Sequence, residues 1–91
     1  MRHTWDPHKR ATNLKKHGLD FADAPLLLAG ESTVTFEDRR FDYGEQRFIT
    51  LAMLRGKVVV IATTETEEEV RIISMRRAEA NEEKIYYQNR G

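Results

Sequence analysis

The alternation of hydrophobic and polar residues divides the chain into helical and extended segments. A first helix is predicted to begin at Asp6-Pro7, because aspartate caps helices and proline fits their first turn, and to end just before Gly18. A second, shorter helix is predicted from Asp20, with Gly30 at its end. The apolar positions of this second helix are Phe21, Ala24, Leu27 and Leu28.

Four extended segments and a final helix follow. β-branched residues predict a strand over Ser32–Glu37, and alternating residues predict a second strand over Glu45–Arg55. Val58–Ala62 is apolar at every position, which is typical of a central strand covered on both faces. A fourth strand is predicted over Val70–Met75, and a C-terminal helix over Ala78–Gln88. The connecting turns are predicted at Asp42-Tyr43-Gly44, Arg55-Gly56-Lys57 and Glu65 to Glu69.

The order of these elements, with short connections, predicts an α+β domain. Its expected parts are two N-terminal helices, an antiparallel sheet of about four strands, and a C-terminal helix. With 91 residues, of which 40% are hydrophobic, the chain has room for one modest core. Residues 1–91 are therefore expected to form a single domain.

Composition excludes several classes of protein. The chain has no cysteine, so a disulfide scaffold, a thiolate zinc site and a cysteine nucleophile are excluded. No apolar run approaches the roughly 20 residues that span a bilayer, and the N-terminus lacks the apolar stretch of a secretory signal. We therefore expect a cytoplasmic protein that does not bind membranes.

The net charge is zero, with 15 basic and 15 acidic residues, which does not favour nucleic acid as a partner. The charges are, however, unevenly distributed. Residues 1–20 contain five Lys or Arg and three His against two Asp, whereas residues 65–83 contain seven Glu against three Arg. A local basic surface can therefore bind an anion even though the total charge is zero.

No standard catalytic motif is present: the sequence has no Walker loop, no HExxH, no GxSxG and no dinucleotide fingerprint. His3, His8 and His17 are not spaced to share one helix face, so no metal site is expected. The remaining candidates for chemistry are arginine, lysine, glutamate and tyrosine side chains.

The residues alone leave two interpretations of these side chains open. Arginine can hold a phosphate through two parallel donors, and a histidine with a pKa of about 6.5 can act as acid or base. Equally, His17 can simply interact with a helix C-terminus, and arginines such as Arg71 and Arg76 at strand ends are commonly just solvated. Arg39, Arg40 and Arg47 lie around an acidic turn, where weak surface ion pairs are usual.

Three segments taken together are a more specific signal of a protein family than any one of them alone. They are Trp5-Asp6-x-x-Lys9-x-x-x-Asn13-x-x-Lys16-His17-Gly18-Leu19-x-Phe21-x-x-Ala24, then Asp38-x-Arg40-x-x-Tyr43-Gly44-Glu45-x-Arg47-Phe48, and finally Arg71-Ile72-Ile73-Ser74-Met75-Arg76-x-Ala78 followed by Glu82 and Tyr86. In this order, and over nearly the whole chain, they resemble the BrnT family of toxins.

The resemblance implies a type II toxin–antitoxin toxin with a RelE-like fold, a metal-independent ribonuclease that inhibits translation and growth. It implies an RNA substrate, a BrnA-like antitoxin as partner, contact with DNA only indirectly through that antitoxin, and no cofactor. By position, Arg71 and Arg76 are expected to be phosphate or transition-state cations, with His17 as acid or base. The residues expected to contact the RNA backbone are Lys9, Lys16, Arg40 and Arg47.

The sequence departs from the family pattern at one place. Family members often carry Thr-Glu-Arg after the apolar strand, whereas here Thr64-Glu65 is followed by Thr66 and three glutamates. If that arginine contributes to catalysis, this copy would keep the fold without cleaving RNA. Two functions are therefore open: an active ribonuclease toxin, and a catalytically degenerate interaction module that binds antitoxin.

Overall fold

A computed structural model describes residues 1–40 and 44–90 of the chain. In this part of the chain, five strands form one mixed sheet with helices on both faces, and they lie side by side in the order β1-β5-β4-β3-β2. The predicted α+β class is confirmed, and the RelE-like assignment stays a prediction. In chain order the elements are β1 (Arg2–Thr4), α1 (Pro7–His17), a 3-10 turn (Phe21–Asp23), α2 (Ala24–Leu28), β2 (Val34–Glu37), β3 (Arg47–Leu54), β4 (Lys57–Glu65), β5 (Glu69–Arg77) and α3 (Ala80–Asn89).

The prediction of about four antiparallel strands is wrong at the N-terminal edge of the sheet. β1 is a fifth strand, and it runs parallel to β5 with Arg2 opposite Glu69 and Thr4 opposite Arg71. The other neighbouring strands are antiparallel, as predicted. A three-residue strand is too short to show an alternating pattern, and Arg2 pairs with a residue 67 positions away. Local sequence therefore does not reveal β1.

The second predicted helix is two elements rather than one. Asp20 accepts a hydrogen bond from the backbone N–H of Ala22 and caps a 3-10 turn, after which α2 begins at Ala24. The physical reason is Pro25, which has no N–H to donate to the carbonyl four residues earlier. The backbone N–H of Ala24 instead bonds to Phe21, three residues earlier, and a new helix begins from there.

The hairpin between β3 and β4 has the predicted position. Arg55 and Gly56 both have positive φ angles, 50° and 78°, which is the pattern of a two-residue type I′ turn. This turn sets the register in which Leu54 faces Lys57. Of the predicted turn Asp42-Tyr43-Gly44, the first two residues lie outside the described part of the chain.

The sheet has two covered faces, each with its own apolar cluster. One face, which we name the α1 face, is covered by the 3-10 turn and α2, with α1 packed beside β5; the other, the α3 face, is covered by α3. Residues of Val58–Ile61 contribute alternately to the two clusters and are all buried, so the predicted central strand is confirmed. The α1-face cluster comprises Phe21, Ala24, Ala52, Val59, Ile61, Val70, Ile72 and Met75, and the α3-face cluster comprises Leu51, Val58, Val60 and Tyr86. None of the helices in the described residues is long and apolar enough to cross a membrane.

Helix α1 is held against the edge of β5 by Asn13, its one buried residue. β1 pairs with only the first three residues of β5. Further along that edge, the backbone N–H of Met75 donates to Oδ1 of Asn13 at 3.2 Å, and Nδ2 of Asn13 donates to the carbonyl of Leu19 at 3.1 Å. The Asn13 amide therefore takes the place of a neighbouring strand.

Replacing Asn13 by alanine is expected to lower the free energy of unfolding by about 1–3 kcal/mol, because the buried N–H of Met75 loses its acceptor. Urea denaturation of the wild-type and variant proteins measures this change. The matched control is Asn89→Ala, which removes an exposed amide whose hydrogen bond among the described residues is to the carbonyl of Ile85 within its own helix. Equal losses in both variants would show that the Asn13 contact with β5 has no special role.

An ion pair fixes the other side of α1. The guanidinium of Arg10 donates two hydrogen bonds to the carboxylate of Asp20, at 2.7 and 3.1 Å, and lies 5.7 Å from the centre of the Trp5 ring. The bonds from Arg10 and from the backbone of Ala22 lower the pKa of Asp20 to about 2. The Asp20 carboxylate is therefore charged at all physiological pH values and links α1 to the turn that follows it.

Candidate active site

A β-bulge in β5 places the two predicted catalytic arginines on one face of the sheet. Arg71 lies opposite Thr64 on β4, and Arg76 lies opposite Val60, four residues earlier on that strand, so both face the same side. Five positions separate the two arginines, which in a regular strand would put them on opposite sides. The bulge adds Ile73 as one extra residue in β5, so Arg71 and Arg76 end on the same side of the sheet. Both arginines therefore project from the α3 face, to which Val60 belongs.

Arg47 lies on the same face through the register of the strands. It is opposite Thr64, which is itself opposite Arg71, and β1 extends this row with Thr4. The side chain of Arg47 is 34% exposed and lies 3.7 Å from the carboxylate of Glu45, while Arg71 is exposed. The row across the α3 face at Thr64 therefore carries two arginines.

A hollow of about 190 Å³ opens beside α3, and we name it the α3 groove. Arg76 enters it from β5, and Glu82 enters it from the first turn of α3. Nη1 and Nη2 of Arg76 donate to Oε1 and Oε2 of Glu82, each at 2.8 Å. This two-bond geometry is also the one with which arginine holds a phosphate. The lining residues are Phe36, Glu37, Asp38, Arg39, Arg40, Ile49, Arg76 and Glu82.

The carboxylate of Glu82 is fixed from two directions. Besides the bonds from Arg76, its Oε1 accepts from the backbone N–H of Glu79 at 2.9 Å, as part of a capping box that starts α3. The bonds from Arg76 hold the pKa of Glu82 below its usual range, although partial burial opposes this effect. The bonds to Glu82 raise the pKa of Arg76 in turn. At neutral pH, the groove therefore contains a charged carboxylate directly beside a guanidinium.

Arg40 supplies a second cation at the groove. Its Nε and Nη2 donate to the two carboxylate oxygens of Asp38, each at 2.9 Å. The Asp38 side chain is 5% exposed, whereas that of Arg40 is 72% exposed. The positive charge of Arg40 adds to the lowering of the Glu82 pKa and opposes the rise in the Arg76 pKa, so it acts on the same site. An anion entering the groove would thus meet cations from both of its walls.

The remaining predicted site residues lie elsewhere, in a hollow of about 390 Å³ between α1 and the bulge of β5, which we name the α1 hollow. Lys9, Lys16 and His17 are exposed on α1 and line it together. This hollow and the α3 groove share no lining residue. The complete lining is His8, Lys9, Thr12, Asn13, Lys16, His17, Ile73 and Ser74.

The structure therefore divides the seven predicted residues between two surfaces. Arg40, Arg47, Arg71 and Arg76 belong to the α3 side, whereas Lys9, Lys16 and His17 belong to the α1 hollow. His17 does not line the groove that contains Arg76, so it is not placed to exchange protons there. Within residues 1–40 and 44–90, no group of three or more His, Asp or Glu side chains is arranged to hold a metal ion.

Among the groove residues that reasoning from the sequence did not assign to the site, Glu82 is bonded directly to a predicted catalytic arginine. A glutamate three residues after Glu79, near the start of a helix, is a signal of a capping box. The ion pair with Arg76, by contrast, depends on how β5 and α3 pack, and no local pattern indicates it.

Comparison with known proteins identifies the chain as a toxin. Residues 5–82 match the family model described as the ribonuclease toxin BrnT of type II toxin–antitoxin systems. The chain belongs to the BrnT family. It is therefore a ribonuclease toxin, an enzyme whose family operates together with an antitoxin. No curated protein matches the chain.

The BrnT match includes both members of the Arg76–Glu82 pair, because it ends at Glu82. It favours an active ribonuclease over a degenerate interaction module. The departure at Thr66 has a local structural role: its Oγ1 accepts from the backbone N–H groups of Glu68 and Glu69, at 3.3 and 3.2 Å, and closes the turn between β4 and β5. No residue of this turn lines the α3 groove.

Proposed function

We propose that this BrnT toxin cleaves RNA on its α3 face without a metal ion, and that the reacting phosphate binds at the α3 groove. The observation that carries the proposal is the clustering of Arg40 and Arg76 around one small groove, with Arg47 and Arg71 on the same face. Preorganised cations stabilise the charge that develops on phosphorus-bound oxygens in the transition state. Arginine suits this role because its guanidinium stays charged at all relevant pH values.

The four arginines have different roles in this proposal. Arg76 stabilises the transition state from inside the groove, and Arg71, which the bulge places on the same face but outside the groove lining, is proposed as a second cation for it. Arg40 and Arg47 contact neighbouring phosphates, which positions the RNA without reading its sequence. Nη1 and Nη2 of Arg76 each bond to Glu82, and Nη1 also donates to the carbonyl of Arg77 at 3.3 Å, so the N–H of Nε and the second N–H of Nη2 remain for a phosphate.

The α1 hollow is proposed as a second contact with the RNA backbone. Lys9 and Lys16 are exposed there beside His17, and lysine binds phosphate as a point charge. The hollow reaches Ile73 and Ser74 of β5, the strand that carries the catalytic arginines. An RNA strand crossing the edge of β5 would touch both surfaces. In this position, His17 contacts the RNA backbone instead of acting as acid or base at the phosphate held by Arg76.

A BrnA-like antitoxin is the proposed partner, and cytoplasmic RNA is the proposed substrate. The support is the family itself, since a type II antitoxin is a protein that neutralises its toxin directly. We propose that any contact with DNA is made by the antitoxin and not by this chain, whose net charge of zero gives no general attraction to DNA.

Expression of the chain alone in a bacterial cell is expected to stop growth and to produce cleaved RNA, and co-expression of a BrnA-like antitoxin is expected to reverse both effects. Cleavage of a synthetic RNA by the purified protein is expected to persist in excess chelator, because arginines provide the charge stabilisation. Harmless accumulation with intact RNA would refute the proposed activity. Cleavage that chelator abolishes would refute its metal independence.

A further inference from the structure

The Arg76–Glu82 pair contains a base as well as a cation. We propose that Glu82 is the general base of the reaction and takes the proton from the ribose 2′-hydroxyl next to the phosphate held by Arg76. This inference rests on the proposed function, because it assumes that RNA is cleaved at the α3 groove. It adds a catalytic residue to a site for which sequence reasoning offered only arginines and a distant histidine.

The geometry of the carboxylate favours this role. Oε1 of Glu82 accepts bonds from both Arg76 and the backbone of Glu79, whereas Oε2 accepts from Arg76 alone among the described residues. Oε2 therefore has a lone pair that faces away from these donors. The Glu82 side chain is 19% exposed, so this oxygen can meet a substrate while the rest of the carboxylate stays fixed. A base beside the cation that holds the phosphate is correctly placed for the adjacent 2′-hydroxyl.

The other carboxylates of the groove are less suitable. Both oxygens of Asp38 accept bonds from Arg40, and its side chain is only 5% exposed. Glu37 is paired with the exposed Arg39 at 2.8 Å and lies opposite Phe48, on the side of the sheet away from Ile49. Glu82 is thus the groove carboxylate that combines a fixed position, partial exposure and contact with the catalytic cation.

The proposed step conserves atoms and charge. Glu82 removes the proton of the 2′-hydroxyl, and the 2′ oxygen forms a bond to the neighbouring phosphorus. The bond from phosphorus to the 5′ oxygen breaks, and that oxygen leaves with the electron pair and takes a proton from water. Glu82 then returns its proton to water. The products are a 2′,3′-cyclic phosphate and a free 5′-hydroxyl, and no oxidant, reductant or metal is consumed.

The decisive variant is Glu82→Gln, because glutamine can keep the capping bond to Glu79 and one bond to Arg76 but cannot accept a proton. The single-turnover rate of cleavage is expected to fall by about 100-fold or more, the usual contribution of a general base. The dissociation constant for an uncleavable RNA with 2′-deoxyribose at the cleavage site is expected to change by only a few-fold. Glu83→Gln is the matched control, since Glu83 is exposed on the same helix and its loss removes the same charge.

The dependence of the rate on pH separates a base from a structural residue. The charged groups around Glu82 are Arg76 from β5, Glu79 from the cap of α3, Glu37 from the end of β2, and Asp38, Arg39 and Arg40 from the segment that follows. Because Arg76 keeps Glu82 ionised, the wild-type rate should not fall through protonation of Glu82 between about pH 5 and 8. The residual rate of Glu82→Gln should instead rise by about tenfold per pH unit, because hydroxide must then remove the proton.

A structural role for Glu82 predicts a different result: the variant rate would be lower by the same factor at every pH. If Glu82→Gln is unfolded, Glu82→Asp and rescue of Glu82→Ala by acetate test the same role, because each restores a carboxylate. The role of Glu82 as general base is refuted if Glu82→Gln cleaves RNA at the wild-type rate. It is also refuted if the loss of cleavage rate is independent of pH and acetate does not rescue Glu82→Ala. If the wild-type protein itself does not cleave RNA, both this inference and the proposed function fail. If the wild-type protein cleaves RNA and Glu82→Gln is equally active, the proposed function stands and only the role of Glu82 as general base fails.

Discussion

Replacing Arg76 by alanine is expected to slow RNA cleavage by about 10²- to 10³-fold, the loss that follows removal of one preorganised transition-state donor. Arg76 is the arginine that β5 places inside the α3 groove, and its guanidinium is oriented by two bonds to Glu82. Without it, the groove loses the cation nearest the reacting phosphate, and the Glu82 carboxylate loses the partner that fixes its direction. Single-turnover cleavage of a short RNA measures the effect.

The matched control for Arg76 is its neighbour in the chain. Arg77→Ala removes the same charge from the same strand, but Arg77 is exposed and lies opposite Val59, a residue of the α1-face cluster. Its cleavage rate should remain close to that of the wild type. Because the Arg76–Glu82 pair is partly exposed, Arg76→Ala should change the free energy of unfolding by only about 0–1 kcal/mol. Equal loss of activity in both variants would indicate a general effect of charge and contradict the proposed site.

Replacing Tyr86 by alanine is expected to lower the free energy of unfolding by about 3–5 kcal/mol, the usual cost of removing a large buried ring. The side chain is 1% exposed and packs in the α3-face cluster with Leu51, Val58 and Val60. It is also the one buried residue of α3. A small domain has about 5–15 kcal/mol of stability in total, so this variant should be close to unfolding at physiological temperature. Urea denaturation measures the change.

Tyr87→Ala is the matched control, because it shows whether the loss of stability in Tyr86→Ala comes from burial and not from removing a tyrosine as such. Tyr87 is 48% exposed, follows Tyr86 directly, and meets the Tyr86 ring edge-on with 5.3 Å between the ring centres. Its replacement should cost less than about 1 kcal/mol, as is usual for surface positions. If the two variants lose similar stability, α3 is not anchored through Tyr86. In that case, the position of Glu82 would need another explanation.

The parts of the fold that could be predicted from the sequence are those with local causes. The start of α1 depends on Asp6, which accepts from the backbone of His8, and its end depends on Gly18, whose φ of 70° is unfavourable for other residues. The apolar run Val58–Ala62 predicts a central strand because both faces of the sheet are covered. Elements with long-range causes could not be predicted from the local sequence, because β1 forms only through its pairing with the edge of β5.

The same distinction applies to the candidate site. The resemblance to one family directed attention to Arg71 and Arg76, but a strict alternation along β5 would have put them on different faces. The bulge at Ile73 depends on how β5 pairs with β4, and the sequence contains no marker of it such as glycine. Glu82 was visible only as one position of a resembling segment. Its contact with Arg76 requires α3 to pack on the sheet, which is a property of the whole fold.

The bulge in β5 also affects how related sequences should be compared. Ile73 is an extra residue relative to β4, so a relative with one residue fewer at this position could run as a regular strand and still present both arginines on the α3 face. A relative with the same spacing but without the bulge would instead carry its second arginine on the far side of the sheet, although the two sequences would look alike there. An ungapped alignment of these two sequences would equate two arginines with no shared surroundings. Within this family, the spacing of the two arginines in β5 is therefore informative only together with the presence of the bulge.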